Sequence, residues 1–264
     1  MENISEKVKI LRITPEKTIE TEIDIAREFL LTVFLNGDEV ATLLCSPADL
    51  NYLTAGFLFS EGLIDNREEM ENIKIDSKLG MAHVTARLSG ERTSRHYTPR
   101  LITSGCGGGA TFYSTEDAEL PKVASTLNVA PEDVFALVKD FQHHSETYLG
   151  THGVHSAALC SGRNIGVFAE DIGRHNAVDK VFGKCLLDGL LTDDRVFLTS
   201  GRVSFEILHK VVLRQVPVIV SVSAPISLGV AMAEKMGVTL ISCRGQRLNV
   251  YTNPWRVVGG VVKK

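Results

Sequence analysis

Apolar and polar positions alternate differently in the two halves of the chain. In the first half, the apolar runs are short and strand-like. Phe29 to Leu35, then Asn36-Gly37-Asp38, then Glu39 to Cys45 reads as strand, turn and strand, since Asn-Gly between such runs is a strong hairpin signal. Ser46-Pro47-Ala48-Asp49 predicts a helix start, with Ser46 as N-cap and Pro47 in the first turn. Leu50, Leu53, Phe57 and Leu58 recur at helical spacing, and Gly62 marks the stop. Residues 72–75 and 82–88 alternate and predict a second, half-exposed hairpin.

The second half changes rhythm. Pro131 opens a helix with Val134, Leu137, Val138 and Phe141 on one face. Residues 154–160 and 165–169 form a predicted hairpin. A helix follows, with Ala177, Val178, Val181, Phe182, Cys185 and Leu186 on its apolar stripe. Short apolar strands at 196–198 and 218–220 alternate with helices at 203–213 and 228–236, the latter ended by Gly237. Strands at 238–241 and 248–251 close the pattern. Continuous apolar strands between helices predict a helix-covered sheet with parallel strands, so the fold class is mixed α/β, α+β overall. The polar stretch 114–119 and the residues after it place a domain boundary at 127/128. A β-rich unit spans 1–127 and an α/β unit 128–264.

Composition narrows the function classes. The 264 residues are 44% hydrophobic and 23% charged, with a net charge of −4. That balance gives no global sign of nucleic-acid or anionic-membrane binding, so any anion site is local. No apolar run is long enough to span a bilayer, and the start, Met1-Glu2-Asn3-Ile4-Ser5-Glu6-Lys7, lacks a signal peptide's apolar core. Five scattered cysteines (45, 106, 160, 185, 243) without a CxxC speak against a disulfide framework or a Cys-rich zinc site. They suggest a reducing cytoplasm.

Five places concentrate chemistry-bearing residues. Cys106 sits in Thr103-Ser104-Gly105-Cys106-Gly107-Gly108-Gly109, with no acidic residue between Thr103 and Thr111. His96 and Arg100 precede it and suit the support of a thiolate, the nucleophilic form of cysteine. The same residues also describe a tight turn. His152 and His155 read as metal ligands or as a hydrogen-bonded pair at a strand entry. The stretch from Glu170 to Lys180 turns from strand into helix, where backbone N–H groups favour anions; Arg174, His175 and Lys180 would add side-chain donors. Thr199-Ser200-Gly201-Arg202 makes a similar turn without the lysine of a P-loop, and Ser221 to Pro225 ends the next strand likewise. Ser242-Cys243-Arg244-Gly245-Gln246-Arg247 is a phosphate-gripping loop or a plain hairpin turn. Together, Arg174, Arg202, Arg244 and Arg247 at strand ends suggest a nucleotide or other polyanion.

These stretches together resemble a known family. Gly56-Phe57-Leu58-Phe59-Ser60-Glu61-Gly62-Leu63-Ile64, the Cys106 loop, Thr151 to Ala158, Glu170 to Lys180, Ser200 to Ser204 and Val250-Tyr251-Thr252-Asn253-Pro254 are similar to the formate dehydrogenase accessory sulfurtransferases, FdhD. The resemblance implies a homodimeric sulfur carrier. It would take sulfur from a cysteine desulfurase as a persulfide and pass it to the molybdenum bis-molybdopterin guanine dinucleotide cofactor, before that cofactor enters formate dehydrogenase. It implies a cytidine-deaminase-like second half. Cys106 matches the persulfide-bearing cysteine, and Ser242, Cys243, Arg244, Gly245, Gln246 and Arg247 match the loop linked with the guanine-dinucleotide end. Arg174, His175 and Arg202 join them as candidate cofactor contacts. No metal of its own is expected. Many members carry CxxC in the loop, whereas this chain has Gly109 at the second position. One thiolate then has to serve for both pick-up and delivery. Two other readings stay open: an escort that binds cofactor and dehydrogenase without chemistry, and a nucleotide-processing enzyme. For the latter, His144-Ser145-Glu146 supplies a deaminase H-x-E, but no P-C-x-x-C completes it.

Overall fold

The computed structural model describes residues 4–88, 101–102 and 120–259. The elements in chain order are β1 (Ser5–Ile13), β2 (Thr18–Ala26), β3 (Phe29–Leu35), β4 (Asp38–Cys45), α1 (Leu50–Ser60), β5 (Met70–Asp76), β6 (Met81–Ala86) and β7 (Leu101–Ile102). Then come α2 (Pro131–His144), α3 (Glu146–Thr151), β8 (His155–Ser161), β9 (Asn164–Asp171), α4 (Arg174–Leu187), β10 (Val196–Thr199), α5 (Phe205–Leu213), β11 (Val218–Ser221), α6 (Ser227–Met236), β12 (Thr239–Arg244) and β13 (Arg247–Val250). This is the mixed α/β architecture that the patterning predicts. The strands form three sheets, ordered β1-β2, β5-β6-β3-β4-β7 and β13-β12-β11-β10-β8-β9.

Local chemistry explains most boundaries. Asn36 (φ 52°) and Gly37 (φ 96°) are both left-handed, the geometry that closes the two-residue β3–β4 hairpin. Gly237 (φ 76°) ends α6. Ser204 caps α5, accepting from the Ile207 N–H. The predicted Ser46 cap of α1 is a correction. The N-cap is Asp49, left-handed and without a side-chain cap. Ser46 instead bonds to the second half of the chain, as described below. The β1–β2 hairpin and the short helix α3 are additions to the predicted elements, and so are the parallel pairings of β3 with β6 and of β4 with β7.

The six-stranded sheet is covered on both faces. Ala157, Leu159, Phe197, Ile219 and Leu240 pack with α4, α5 and α6. Their alternating neighbours Ala158, Cys160, Leu198, Val220 and Ile241 pack with Val134, Leu137 and Phe141 of α2. The five-stranded sheet packs its apolar face on α1. Helix α1 is thus sandwiched between that sheet and α4, and eight of its eleven residues are buried. Gly56 and Gly183 let the two helices approach to backbone contact.

Candidate functional site

Strand directions bring the candidate loops to one edge. β10, β11 and β12 are parallel, β8 runs against β10, and β9 runs against β8. The C-terminal ends of β9, β10, β11 and β12 therefore share an edge with the start of β8. Open α/β sheets receive ligands at such an edge.

The stretch from Asp171 to Lys180 has a different role from the one its residues suggest. Asp171 and Lys180 are wholly buried and form an ion pair of 2.7 Å. Asp171 also accepts from the backbone N–H groups of Ser46 (3.0 Å) and Gly173 (2.9 Å) and from Asn176 Nδ2 (2.9 Å). Asn176 Nδ2 donates to the Leu44 carbonyl at 2.9 Å, and Ser46 Oγ accepts from the Ile172 N–H at 3.0 Å. Asp179 accepts hydrogen bonds from Ser60 Oγ and Lys210 Nζ. These bonds clamp the end of β4 and helix α1 onto β9, α4 and α5. Lys180 is consequently a structural cation, not an anion donor facing solvent. A buried network needs the same residue types as an anion site, because each desolvated charge must be paired and hydrogen-bonded.

His175 lies 3.3 Å from Glu206. Burial first, and then the charges of Lys210 and Arg174, push its pKa down to about 3. It is neutral near pH 7 and adds no cation to the edge. Arg174 packs its stem against Gly201, where a Cβ would stand 2.8 Å from the arginine Cβ. Arg202 beside it is exposed. The loop joining β12 and β13 divides. Ser242 and Cys243 are buried, with Cys243 in the apolar core, while Arg244, Gly245, Gln246 and Arg247 are exposed. Gly245 (φ 57°) makes the turn. Sheet order places β12 two strands from β10 and four from β9. At about 4.8 Å per strand the end of β12 lies roughly 10 Å from that of β10 and roughly 19 Å from that of β9, and Arg174, at the start of α4, leans back onto Gly201 beside the β10 end.

Between the ends of β9, β10 and β11, the start of β8 and helices α2–α3 lies a cleft of about 640 Å³, with none of Arg174, Arg202, Arg244 and Arg247 in its walls. His155, Ser200, Ser223, Ile172, Phe141 and Tyr148 are among its walls. His155 Nδ1 is 3.1 Å from Ser200 Oγ, which also accepts from the Ser156 N–H at 2.9 Å. Burial, then Arg174, lowers the His155 pKa, so a neutral imidazole faces the cleft. His152 caps α3 in a left-handed conformation and stacks edge-on with Tyr148. Among the described residues, no group of three or more His, Cys, Asp or Glu is arranged to hold a metal. His144-Ser145-Glu146 straddles the end of α2 and the start of α3, with Ser145 as the α3 N-cap. The patterning indicated the two histidines, but not the cleft they share with α2.

Cys106, with His96 and Arg100, lies outside the described residues. The approach to it is described: β7 runs parallel to β4, with Leu101 opposite Thr42 and Ile102 opposite Leu43. Three residues beyond Leu43 is Ser46, whose hydroxyl holds Ile172 in the cleft wall. β7 therefore points its C-terminal end toward the side of the molecule that carries the cleft. The other four cysteines are free and buried. Desolvation raises Cys160 to about 12 and Cys185 to about 11, and raises Cys45 further, so none is a ready thiolate.

A family model described as FdhD/NarQ matches residues 26–258. The "Sulfur carrier protein FdhD" of Bacillus subtilis (strain 168) is 41% identical over 240 residues, covering 90% of this chain and 92% of that protein. The protein of the same name from Listeria innocua is 38% identical, covering 97% and 99%. The crystal structure of a formate dehydrogenase accessory protein from Desulfotalea psychrophila superposes with a TM-score of 0.82 at 28% identity, over 97% of this chain and 100% of that one.

Proposed function

The chain belongs to the FdhD/NarQ family, and on that premise we propose that it is a sulfur carrier for formate dehydrogenase, with Cys106 as the persulfide-bearing nucleophile. The observation that carries the reading is the β7–β4 pairing. Cys106 follows Ile102 by four residues, at most about 14 Å of chain, and Ile102 leaves its sheet beside the strand that ends at the cleft wall. That tether starts on the side of the molecule that carries the cleft, and the thiol it bears is the pick-up and delivery group in this reading.

In the first step the Cys106 thiolate attacks the outer sulfur of a desulfurase persulfide. A new S–S bond forms, the old one breaks, and the desulfurase leaves as thiolate. The outer sulfur later passes from Cys106 to the cofactor at the sulfane level: the acceptor supplies the electron pair of the new bond, the S–S bond breaks, and the Cys106 thiolate leaves. A glycine at 109 leaves no loop thiol to expel that sulfur as a disulfide partner. The cargo is the bis-molybdopterin guanine dinucleotide cofactor. Its guanine-dinucleotide end suits the Arg244–Arg247 loop, because exposed guanidinium groups bind phosphate by charge-assisted, bidentate hydrogen bonds. The neutral His155 and the Ser200 hydroxyl supply uncharged polar contacts in the cleft. The carrier acts as a homodimer in the cytoplasm, with a cysteine desulfurase as donor and formate dehydrogenase as recipient. No described helix is long and apolar enough to cross a membrane.

The test is replacement of Cys106. In cells lacking the native carrier, Cys106→Ala is expected to leave formate dehydrogenase inactive while wild type restores it. An active dehydrogenase with Cys106→Ala overturns the persulfide route in favour of a binding escort.

A further inference from the structure

Three side chains at the foot of the Arg244–Arg247 turn meet at one oxygen. Ser242 is buried. Its Oγ accepts from Asn249 Nδ2 at 3.3 Å and shares a hydrogen bond of 3.2 Å with the Tyr251 hydroxyl. Ser242 and Asn249 are cross-strand partners, as are Arg244 and Arg247 two residues further along. Side chains two residues apart on a strand share a face. Ser242, Arg244, Arg247, Asn249 and Tyr251 therefore stand on one face of the β12–β13 pair. It is the face that Leu240 turns toward α5 and α6, whereas Ile241 and Cys243 take the other, against α2.

The hydroxyl aims the tyrosine ring. Tyr251 N–H donates to the Leu240 carbonyl at 2.8 Å, so its backbone sits beside Leu240, two residues before Ser242. Its hydroxyl reaches Ser242 all the same, and the ring therefore lies along β12, toward the arginine turn. Thr252 next to it is buried, and its hydroxyl accepts from the Leu240 N–H at 3.0 Å and donates to the Val238 carbonyl at 2.7 Å. The backbone that carries the ring is fixed, and the hydroxyl is tied. Tyr251 is nevertheless 42% exposed. An aromatic ring held at both ends with open area left over is a preorganised stacking surface. Asn249 spends one amide hydrogen on Ser242. An amide carries a second N–H and a carbonyl oxygen, the donor–acceptor pair with which Asn reads the edge of a nucleobase.

Resting on the reading of the turn as the grip on the cofactor's phosphates, we propose that Tyr251 is the stacking platform for the guanine base of that same end, with Asn249 reading the edge of the base. Arg244 and Arg247 stand about 7 Å further along the strands than Ser242 and Asn249, so base and phosphates fall on neighbouring parts of one face. The turn alone would hold any polyanion. The ring is what selects an aromatic base.

The test is calorimetric titration of the full chain with guanosine diphosphate and, separately, with pyrophosphate. Wild type is expected to bind the nucleotide more tightly. Tyr251→Leu removes base stacking, and is expected to weaken guanosine diphosphate binding about tenfold while pyrophosphate binding stays unchanged. Tyr251→Phe keeps the ring and is expected to stay within about threefold of wild type. In Tyr251→Trp, guanosine diphosphate is expected to quench fluorescence that wild type, with Trp255 alone, does not lose; pyrophosphate is expected to leave it unchanged. That readout needs contact with the base and does not depend on how well Tyr251→Leu folds. In cells lacking the native carrier, Tyr251→Leu is expected to lower formate dehydrogenase activity and Tyr251→Phe to restore it. A wild type that binds guanosine diphosphate no tighter than pyrophosphate, a Tyr251→Leu affinity equal to wild type, or an unquenched indole each overturns the platform and leaves the arginine turn standing. Full dehydrogenase activity with Tyr251→Leu assigns the platform to a free nucleotide and overturns its assignment to the cofactor. A wild type that binds neither ligand overturns the reading of the turn, and the platform with it.

Discussion

Gly183 of α4 faces Gly56 of α1 so closely that a Cβ on Gly183 would stand 2.7 Å from the Gly56 nitrogen and 1.9 Å from the Tyr52 carbonyl oxygen. A Cβ on Gly56 would stand 1.9 Å from the Asp179 carbonyl oxygen. Backbone cannot yield as a side chain does, so one methyl group here separates the helices that join the two larger sheets. Gly183→Ala is expected to lower stability by about 1–3 kcal/mol or more, read as a lower urea midpoint. An unchanged midpoint contradicts the contact.

The Asp171–Lys180 pair gives a second stability prediction. Lys180→Met leaves a buried carboxylate without its cation, and breaking such a pair costs about 3–5 kcal/mol. Chemical denaturation measures the loss. The fraction that remains folded is expected to bind guanosine diphosphate as wild type does. Lost binding at full stability would instead return Lys180 to the ligand site.

Acid sensitivity follows from His175 and His209. Burial lowers their pKa values to about 3 and about 4, from 6.5. The unfolded chain takes up these protons first as pH falls. Their stabilising contribution is therefore full above pH 6.5 and declines below it, until the folded pKa values are reached. The slope is about 1.4 kcal/mol per pH unit for each histidine at most. His209→Gln is expected to flatten the stability profile between pH 6.5 and 4 relative to wild type. Parallel profiles in that window contradict the assignment.

For the polyanion edge, removing both Arg244 and Arg247 is the informative change. Both are exposed, so the fold is expected to survive alanine at each. A hydrogen bond to a charged group contributes about 1.5–3 kcal/mol, so Arg244→Ala/Arg247→Ala is expected to weaken guanosine diphosphate binding by at least tenfold in calorimetry. An unaltered affinity would assign the loop to a hairpin turn and nothing more.

The sequence was legible where local chemistry decides. Asn36-Gly37 announced its hairpin, Pro131 its helix, and Gly237 its stop. It misled where the partner is distant in the chain. Ser46 carries every local mark of an N-cap, yet it is held by Asp171 and Ile172, some 125 residues away. Lys180 reads as a surface donor because sequence does not say that Asp171 is buried beside it. The cleft was half visible: His155 and Ser200 stood out as polar residues at strand ends, but their adjacency comes from β8 lying next to β10. The β1–β2 pair carried a period-two signal in Val8, Ile10, Ile23 and Ile25, with Pro15-Glu16 in place of a glycine turn.

The central claim is that Cys106 carries sulfur, and mass spectrometry of the intact protein tests it most directly. After incubation with a cysteine desulfurase and cysteine, the wild-type chain is expected to gain about 32 Da, one sulfur capping the thiol. A reductant should remove that mass, and Cys106→Ala should never acquire it. A wild-type mass that stays unchanged, or an equal gain on Cys106→Ala, contradicts the account.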